Sequence, residues 1–357
     1  MSIWKHTFRG VFILGNLIVG TGFLCCAYSP LLSPVAHPVL ACAGLFFPFF
    51  LLALIVLAVV GLFHGWKFMC LPLLLLLAGG GAVSTYTPFG GGEEPTNGEV
   101  LKFLTYNVMN MYGDAEDESR PVQHYIQESD ADVVCLQEYQ WDARETRKAF
   151  PMYPYRKLLK ASNGNGMACL SRFPILSVEP IPYESASNAS FLLRLNIKGD
   201  TLMLICNHLE SNKLDAHDKE VYEGLLKSPE EQNVKSDSKY LLHKLADAVA
   251  IRGPQADSVA QAISRQSGKY LLVCGDFNDS PISYAHHTIG KGLTDAYREA
   301  GWGPGFSYNR NFLYFRIDHL FVNKGFKVLK CRVDNSISAS DHYPLWCLVE
   351  KLLPDNK

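Results

Sequence analysis

The chain has 357 residues, 48% of them hydrophobic, with 33 basic and 35 acidic side chains. Such a balance argues against a protein that grips a polynucleotide through its phosphates, which usually presents a basic face. Ten cysteines with no CxxC pair remove the starting point for zinc-ribbon and thioredoxin-type readings. Six of them (Cys135, Cys169, Cys206, Cys274, Cys331 and Cys347) sit inside apolar runs and read as small buried hydrophobes.

Composition changes near residue 100. From Gly10 to Gly92 the only Asp, Glu, Lys or Arg is Lys67, and a water-soluble fold cannot use such a stretch. Three apolar runs, 10–29, 39–63 and 68–87, each approach the ~20 residues that cross a ~30 Å hydrocarbon core as a helix. The sequence therefore predicts a three-helix transmembrane anchor over 1–88. Pro30, Pro34 and Pro38 punctuate the first connection, and His64-Gly65-Trp66-Lys67 makes the second a tight turn. A cleaved signal peptide over Met1 to Cys26 is the alternative, but no small-x-small site follows it and two apolar runs would still need a membrane. Lys5, Arg9 and Lys67 fall on one side if every run spans. The positive-inside rule makes that side cytoplasmic, so the expectation is a multi-pass protein of a bacterial inner membrane with the domain beyond residue 100 in the periplasm. Residues 89–99, rich in glycine, proline and acid, have the composition of a linker.

From 100 to 357 one theme recurs: a short apolar run that ends abruptly in Asn, Asp, Glu or His. The runs are LKFLTYN, ADVVCLQE, GMACLS, LLRLNI, TLMLICNH, KYLLVCGDFND, RIDHLFVN and ISASDHYPLWCLVE. They read as buried strands. Helical spacing of apolar residues appears over 121–129, 236–250 and 257–266, so the predicted fold is an α/β sandwich with helices covering packed sheets. Lys213 to Glu231 is charged and aperiodic and reads as an exposed loop.

Asn107, Glu138, Asn207 with His208, Asp276 with Asn278, and Asp341 with His342 all fall at or just past the end of an apolar run. Each alone could be a local strand terminator. Together they supply what metal-assisted phosphoester hydrolysis requires. Glu138 and Asp341 offer carboxylates for Mg²⁺ or Mn²⁺, which prefers one or two such ligands with water and substrate completing the shell. Asp276 and Asn278, two apart on an extended segment, face the same way and can orient and deprotonate a water. His208, His342, Asn107 and Asn278 offer donors to developing charge on phosphorus oxygens. Asp318 could fix the tautomer of an imidazole.

These residues lie in TYNV (105–108), LQE (136–138), NHLES (207–211), GDFND (275–279), IDHLFV (317–322) and SDHYPL (340–345). In order and content the six motifs resemble those of the endonuclease/exonuclease/phosphatase superfamily, the deoxyribonuclease I-like enzymes, over nearly all of 100–350. The resemblance implies a four-layered α/β sandwich with its site at one rim. It implies Glu138 as principal metal ligand helped by Asn107 and Asp341, and Asp276 with Asn278 as the pair that orients water and phosphate. His342, partnered by Asp318, would contact phosphate or transfer a proton. His208 resembles the second histidine of the deoxyribonuclease and sphingomyelinase branches.

Four further residues stand in or near these motifs and runs. His319 points to the opposite strand face from Asp318 and reads as structural. His286 and His287 read as surface residues, and Arg172 in LSRFP is either structural or on the substrate side. The shared motifs act on the phosphate and leave its substituents open. A phosphodiesterase acting on a lipid or small phosphodiester comes first, a membrane-tethered nuclease acting on DNA or RNA second, and a catalytically inactive membrane-bound binding module stands as the reading of another class. The sequence names no protein partner.

Overall fold

The computed structural model describes residues 2–160, 166–185, 187–214, 216–227, 234–310 and 313–352. Among the described residues fourteen strands follow the N-terminal helices. They are β1 (Val100–Asn107), β2 (Val133–Gln137), β3 (Tyr155–Lys160), β4 (Gly166–Ser171), β5 (Ile175–Ile181), β6 (Ala189–Ile197) and β7 (Asp200–His208). The series continues with β8 (Tyr270–Asp276), β9 (Thr294–Asp295), β10 (Tyr308–Arg310), β11 (Leu313–Phe315), β12 (Asp318–Val322), β13 (Phe326–Val333) and β14 (Leu345–Lys351).

Two six-stranded sheets form, ordered β13-β14-β1-β2-β4-β3 and β5-β6-β7-β8-β12-β9, with β10-β11 as a separate hairpin. Both are mixed: β1 runs parallel to β2 and β7 parallel to β8, while their other pairings are antiparallel. The inner faces interdigitate through Leu101, Phe103, Leu204, Leu272, Leu345 and the thiols of Cys135, Cys206 and Cys274. Helix Pro121–Glu128 packs Val122 and Ile126 on the outer face of the first sheet, and helix Val234–Ser264 packs Ala256 and Val259 on the second. Burial of apolar side chains on both faces of each sheet explains why the strands read as near-continuous apolar runs.

Two segments differ from the sequence expectation. The helices foreseen over 236–250 and 257–266 are one helix, Val234–Ser264, with Pro254 accommodated inside it. The expected loop at 213–231 contains a helix, Ala216–Lys227, tied to Val234–Ser264 by Tyr240 and Lys244 on the buried carboxylate of Asp218; residues 228–231 lie outside the described ones.

Two N-terminal helical stretches are long and apolar enough to cross a membrane, Thr7–Leu31 and Pro38–His64. The third expected span is not one straight helix. It divides into Trp66–Ala78 and Gly80–Tyr86, bent by 69° at Gly79. The thirteen residues of the first piece reach only about 20 Å, short of the hydrocarbon thickness. The bent pair nonetheless runs from one end of the bundle to the other. Phe68 packs on Phe8 and Phe12 beside His64, whereas Tyr86 packs on Phe47 at the opposite end. Leu14, Ile18, Leu52, Val56 and Leu77 are exposed, an apolar surface that water would not tolerate.

Residues 89–99, expected as a linker, are bound along the α/β domain. Pro88 and Gly90 pair with Gly303 and Gly301, Lys327 pairs with Glu93, and the Glu350 carboxylate accepts from the backbone of Thr96 and Gly98. The bundle also touches the domain directly. Arg316, 2% exposed, donates to the carbonyls of Thr85 and Tyr86 at the end of the last bundle helix and to Pro304, with its guanidinium 4.4 Å from the Tyr297 ring centre. On the other flank Ile282 is buried among Phe23, Cys26, Phe47, Leu51 and Leu54. Gly44 lies so close to it that an added Cβ would stand 1.8 Å from the Ile282 carbonyl oxygen.

Candidate active site

The site is built where β1, β2, β7 and β8 end and β12 begins. β2 stops because Glu138 takes a left-handed backbone conformation, φ 51°, which costs a non-glycine residue about 1–2 kcal/mol and directs its side chain onto the rim. Its carbonyl accepts from the Asn110 amide, which helps to hold that geometry. Asn107, at the end of β1, donates from Nδ2 to Glu138 Oε1 at 3.2 Å and to Asp276 Oδ2 at 3.0 Å while its Oδ1 accepts from the Met109 amide. One amide thus joins the two sheets.

Asp276 ends β8 directly after Gly275, whose φ of 131° and 2.0 Å approach of a built Cβ to the Asn207 carbonyl oxygen leave room for glycine alone. Its Oδ1 accepts from the Asn278 amide at 2.7 Å, and the Asn278 side chain donates to the Leu209 carbonyl. Asp318 opens β12 in register with Asp276. Ser307 Oγ receives the amides of Ile317 and Asp318 and fixes that strand start. His342 Nδ1 lies 2.8 Å from Asp318 Oδ2, and its Nε2 lies 3.7 Å from Asp276 Oδ2. His208, at the end of β7, places Nε2 3.7 Å from Asp276 Oδ2 and 3.8 Å from Glu138 Oε1.

Electrostatics separate the groups. Burial pushes the Asp276 carboxyl up to about 6, with Asp318 adding to the rise and the two histidines opposing it. Burial likewise raises Glu138, assisted by the Asp341 charge and opposed by Asn107 and His342. His208 is lowered by burial and stays neutral. His342 moves the other way: burial works against its charge, but Asp318 and Asp276 outweigh it and lift the imidazole to about 10. The histidines therefore differ in charge at neutral pH although both are buried.

Asp341 is half-buried, and its Oδ1 accepts weakly from Ser340 Oγ at 3.4 Å. The donor set suits a divalent cation. Four carboxylates (Glu138, Asp276, Asp318 and Asp341) meet two imidazoles, one of them neutral, so negative charge remains uncompensated by the protein. Among the described residues two groups of donors lie within 4.8 Å of one another, Asp276–Asp318–His342 and Cys135–Cys206–Cys274. The first is internally hydrogen-bonded through His342, and the second lies in the apolar core between the sheets.

Of the nine positions singled out in the sequence, Asn207 is buried and donates from Nδ2 to the Cys274 carbonyl on β8, whereas the other eight (Asn107, Glu138, His208, Asp276, Asn278, Asp318, Asp341 and His342) thus gather at one rim. Ser340, Ser307 and Tyr308 join them. Ser340 Oγ donates to the Asn107 carbonyl and accepts from the His342 amide, tying the last motif to β1. Tyr308 packs edge-on against His342 with ring centres 5.3 Å apart. Ser340 was readable inside SDHYPL, whereas Ser307 and Tyr308 sit in GFSYNR, which carries no pattern of its own. His319 is structural: Nε2 meets the Asp279 carbonyl at 2.9 Å among Phe277 and His286. His286, expected at the surface, is instead buried against Asp295 at 3.0 Å, while His287 is exposed. Arg172 pairs with Asp130 and Asp132 ahead of β2, at the opposite end of that strand from Glu138.

The Endonuclease/Exonuclease/phosphatase family model matches residues 104–342. The chain belongs to this family. Residues 9–86 match a second model, a domain of unknown function, so the bundle is a recurrent unit. No curated protein sequence matches the chain. Solved structures share the fold: an endonuclease/exonuclease/phosphatase from Beutenbergia cavernae superposes with a TM-score of 0.52 at 17% identity, covering 71% of this chain and 72% of that one. The human nocturnin catalytic domain with bound sulfate gives 0.52 at 15%, covering 71% and 94%. Danio rerio TDP2 complexed with a single-stranded DNA product gives 0.50 at 17%, covering 71% and 100%. Membership of this family, with its architecture of two mixed sheets, makes the chain a phosphoester hydrolase in general class.

Proposed function

We propose that the protein is a membrane-anchored, divalent-metal-dependent phosphodiesterase. The observation that carries this reading is the convergence of Asn107, Glu138, His208, Asp276, Asn278, Asp318 and His342 from the ends of five strands and one loop on a single rim, linked through Asn107 and His342. Glu138 with Asn107 and Asp341 would hold Mg²⁺ or Mn²⁺, which when bound neutralises charge on the phosphoryl oxygens. Asp276, held by the Asn278 amide, accepts the proton of the attacking water. His342, charged and braced by Asp318, donates to a phosphoryl oxygen and can protonate the leaving alkoxide. His208, neutral and without a partner on Nδ1, offers a hydrogen bond from Nε2.

The same proposal includes three crossings, with the bent pair as a broken span. It also puts the catalytic domain on the outer side, which in a bacterial cell is the periplasm. The bundle supports this polarity: Arg9 and Lys67 belong to the end where Phe8, His64 and Phe68 meet, and the catalytic domain contacts the other end.

The test uses the full chain in detergent with Mg²⁺, Mn²⁺ or EDTA on bis-p-nitrophenyl phosphate, phospholipids, sphingomyelin, inositol phosphates, RNA and plasmid DNA. Metal-dependent turnover lost in Glu138→Ala supports the reading. Absence of turnover from folded, metal-binding protein overturns it in favour of a binding role.

A further inference from the structure

We infer that the phosphodiester cleaved is that of a phospholipid in the membrane that holds the bundle, presented to the site at the headgroup level. This rests on the phosphodiesterase reading above and names its substrate class.

The two contacts between bundle and catalytic domain flank the chemistry. Arg316, which holds the last two carbonyls of the bundle, stands two residues before Asp318 on the same extended chain, about 7 Å away at strand rise. Ile282, buried in the bundle, stands four residues after Asn278, within about 13 Å even if fully extended. Asp276 and Asp318 are cross-strand partners, so one end of the second sheet faces the bundle and carries the catalytic carboxylates. A headgroup layer is itself roughly 5–8 Å deep. The rim therefore stands at or just above that layer.

Independent of these contacts, the surface beside the rim is built for an interface. Phe89, three residues beyond the bundle, is 73% exposed and packs edge-on against Trp302, 66% exposed, through a β-bridge. On the other flank Leu31, at the end of the first long helical stretch, and Val35, in the connection that follows, are exposed around Pro34, which lies against Gly253 of the catalytic domain. Exposed aromatic and aliphatic groups beside the ends of apolar helices match the composition of the membrane–water boundary. Their continuity with those helices identifies a bilayer, rather than a polynucleotide or a protein, as what covers them.

In the reaction the water oxygen forms a bond to phosphorus as one of the two phosphate ester P–O bonds breaks. The water proton passes to Asp276, and the departing alkoxide takes a proton from His342, giving a phosphomonoester and an alcohol.

The experiment uses the full chain in mixed micelles of a nonionic detergent with phosphatidylethanolamine, phosphatidylglycerol or sphingomyelin, and bis-p-nitrophenyl phosphate as the soluble reference. Expected is lipid turnover that follows the surface mole fraction of lipid rather than its bulk concentration. In the double variant Phe89→Ser/Trp302→Ser, lipid turnover falls about tenfold or more, a loss of roughly 1.4 kcal/mol of interfacial contact, with the soluble rate held within about twofold. Soluble turnover without lipid turnover, preference for plasmid DNA, or lipid turnover indifferent to surface dilution overturns the inference and leaves the phosphodiesterase reading standing. Loss of turnover on every substrate by folded wild-type protein sinks both.

Discussion

Asp276 and Asp318 face each other directly across the β8–β12 ladder, two carboxylates where a ladder would ordinarily place an apolar or oppositely charged pair. Like charges in this position oppose pairing. His342 resolves the conflict by setting Nδ1 2.8 Å from Asp318 and Nε2 3.7 Å from Asp276, and is itself held in the charged form. The two carboxylates are thereby distinguished: Asp318 braces the imidazole, and on the proposed mechanism Asp276 is the one that acts on water.

Asp318→Asn keeps the shape of this arrangement and removes its charge. We expect kcat to fall roughly 10²-fold with KM nearly unchanged, in the range that positioned acid–base groups contribute. Steady-state rates on bis-p-nitrophenyl phosphate measure it, and an equal loss in KM would indicate a binding role instead.

Asn107 bridges Glu138 and Asp276 and so couples the two sheets at the site. In Asn107→Ala, Mg²⁺ titrations of activity should show weaker apparent affinity by about tenfold, comparable to loss of a supporting contact to a ligand. Unchanged metal dependence would remove Asn107 from the metal's surroundings.

The His286–Asp295 pair gives a pH signature away from the chemistry. Burial works against the Asp295 charge, but the His286 imidazole, Arg316 and the Arg298 amide outweigh it and hold the carboxyl well below the usual range. A depressed folded value means that the stabilisation is fully present above the unfolded carboxylate pKa of about 3.9 and is lost as pH falls through the folded value. Thermal unfolding of Asp295→Asn should therefore begin lower at neutral pH and lose less on acidification than the parent. Parallel acid limbs would contradict the assignment.

Arg316 is the most consequential contact between bundle and domain. Replacing it by Met leaves the Thr85, Tyr86 and Pro304 carbonyls without their donor and should destabilise the chain by about 3 kcal/mol. Arg316→Lys should restore only part, because an ammonium cannot reproduce the fork. Unfolding midpoints of the three proteins in one detergent decide this. A fragment from Val100 onward should show the same weakness, since it also exposes Ile282.

How much of this was legible depends on where the determinants lie in the chain. Asn107, Glu138, His208 and Asp276 could be read because a strand in this fold is an apolar run, and its abrupt polar end is visible within a few residues. The continuous helix through Pro254 was not, since local propensity favours a break there and packing of Val249, Ala256 and Val259 overrides it. Arg316 gave no signal at all: its bundle partners stand more than two hundred residues earlier, and all its partners are backbone carbonyls, which no pattern of side chains records. Likewise Gly91, Glu93 and Thr96 have linker chemistry, and only the tertiary contacts of the segment with Lys327 and Glu350 decide that it is fastened.

That fastened segment sets the reach of the enzyme. Eleven free residues of such composition would let a domain wander over roughly 20 Å, sampling a hemisphere of solution around its tether. With Phe89 through Gly98 laid along the domain, that freedom is gone. On the lipid-substrate proposal, encounters would then depend on what drifts past within the plane of the bilayer, a two-dimensional search paced by lateral diffusion.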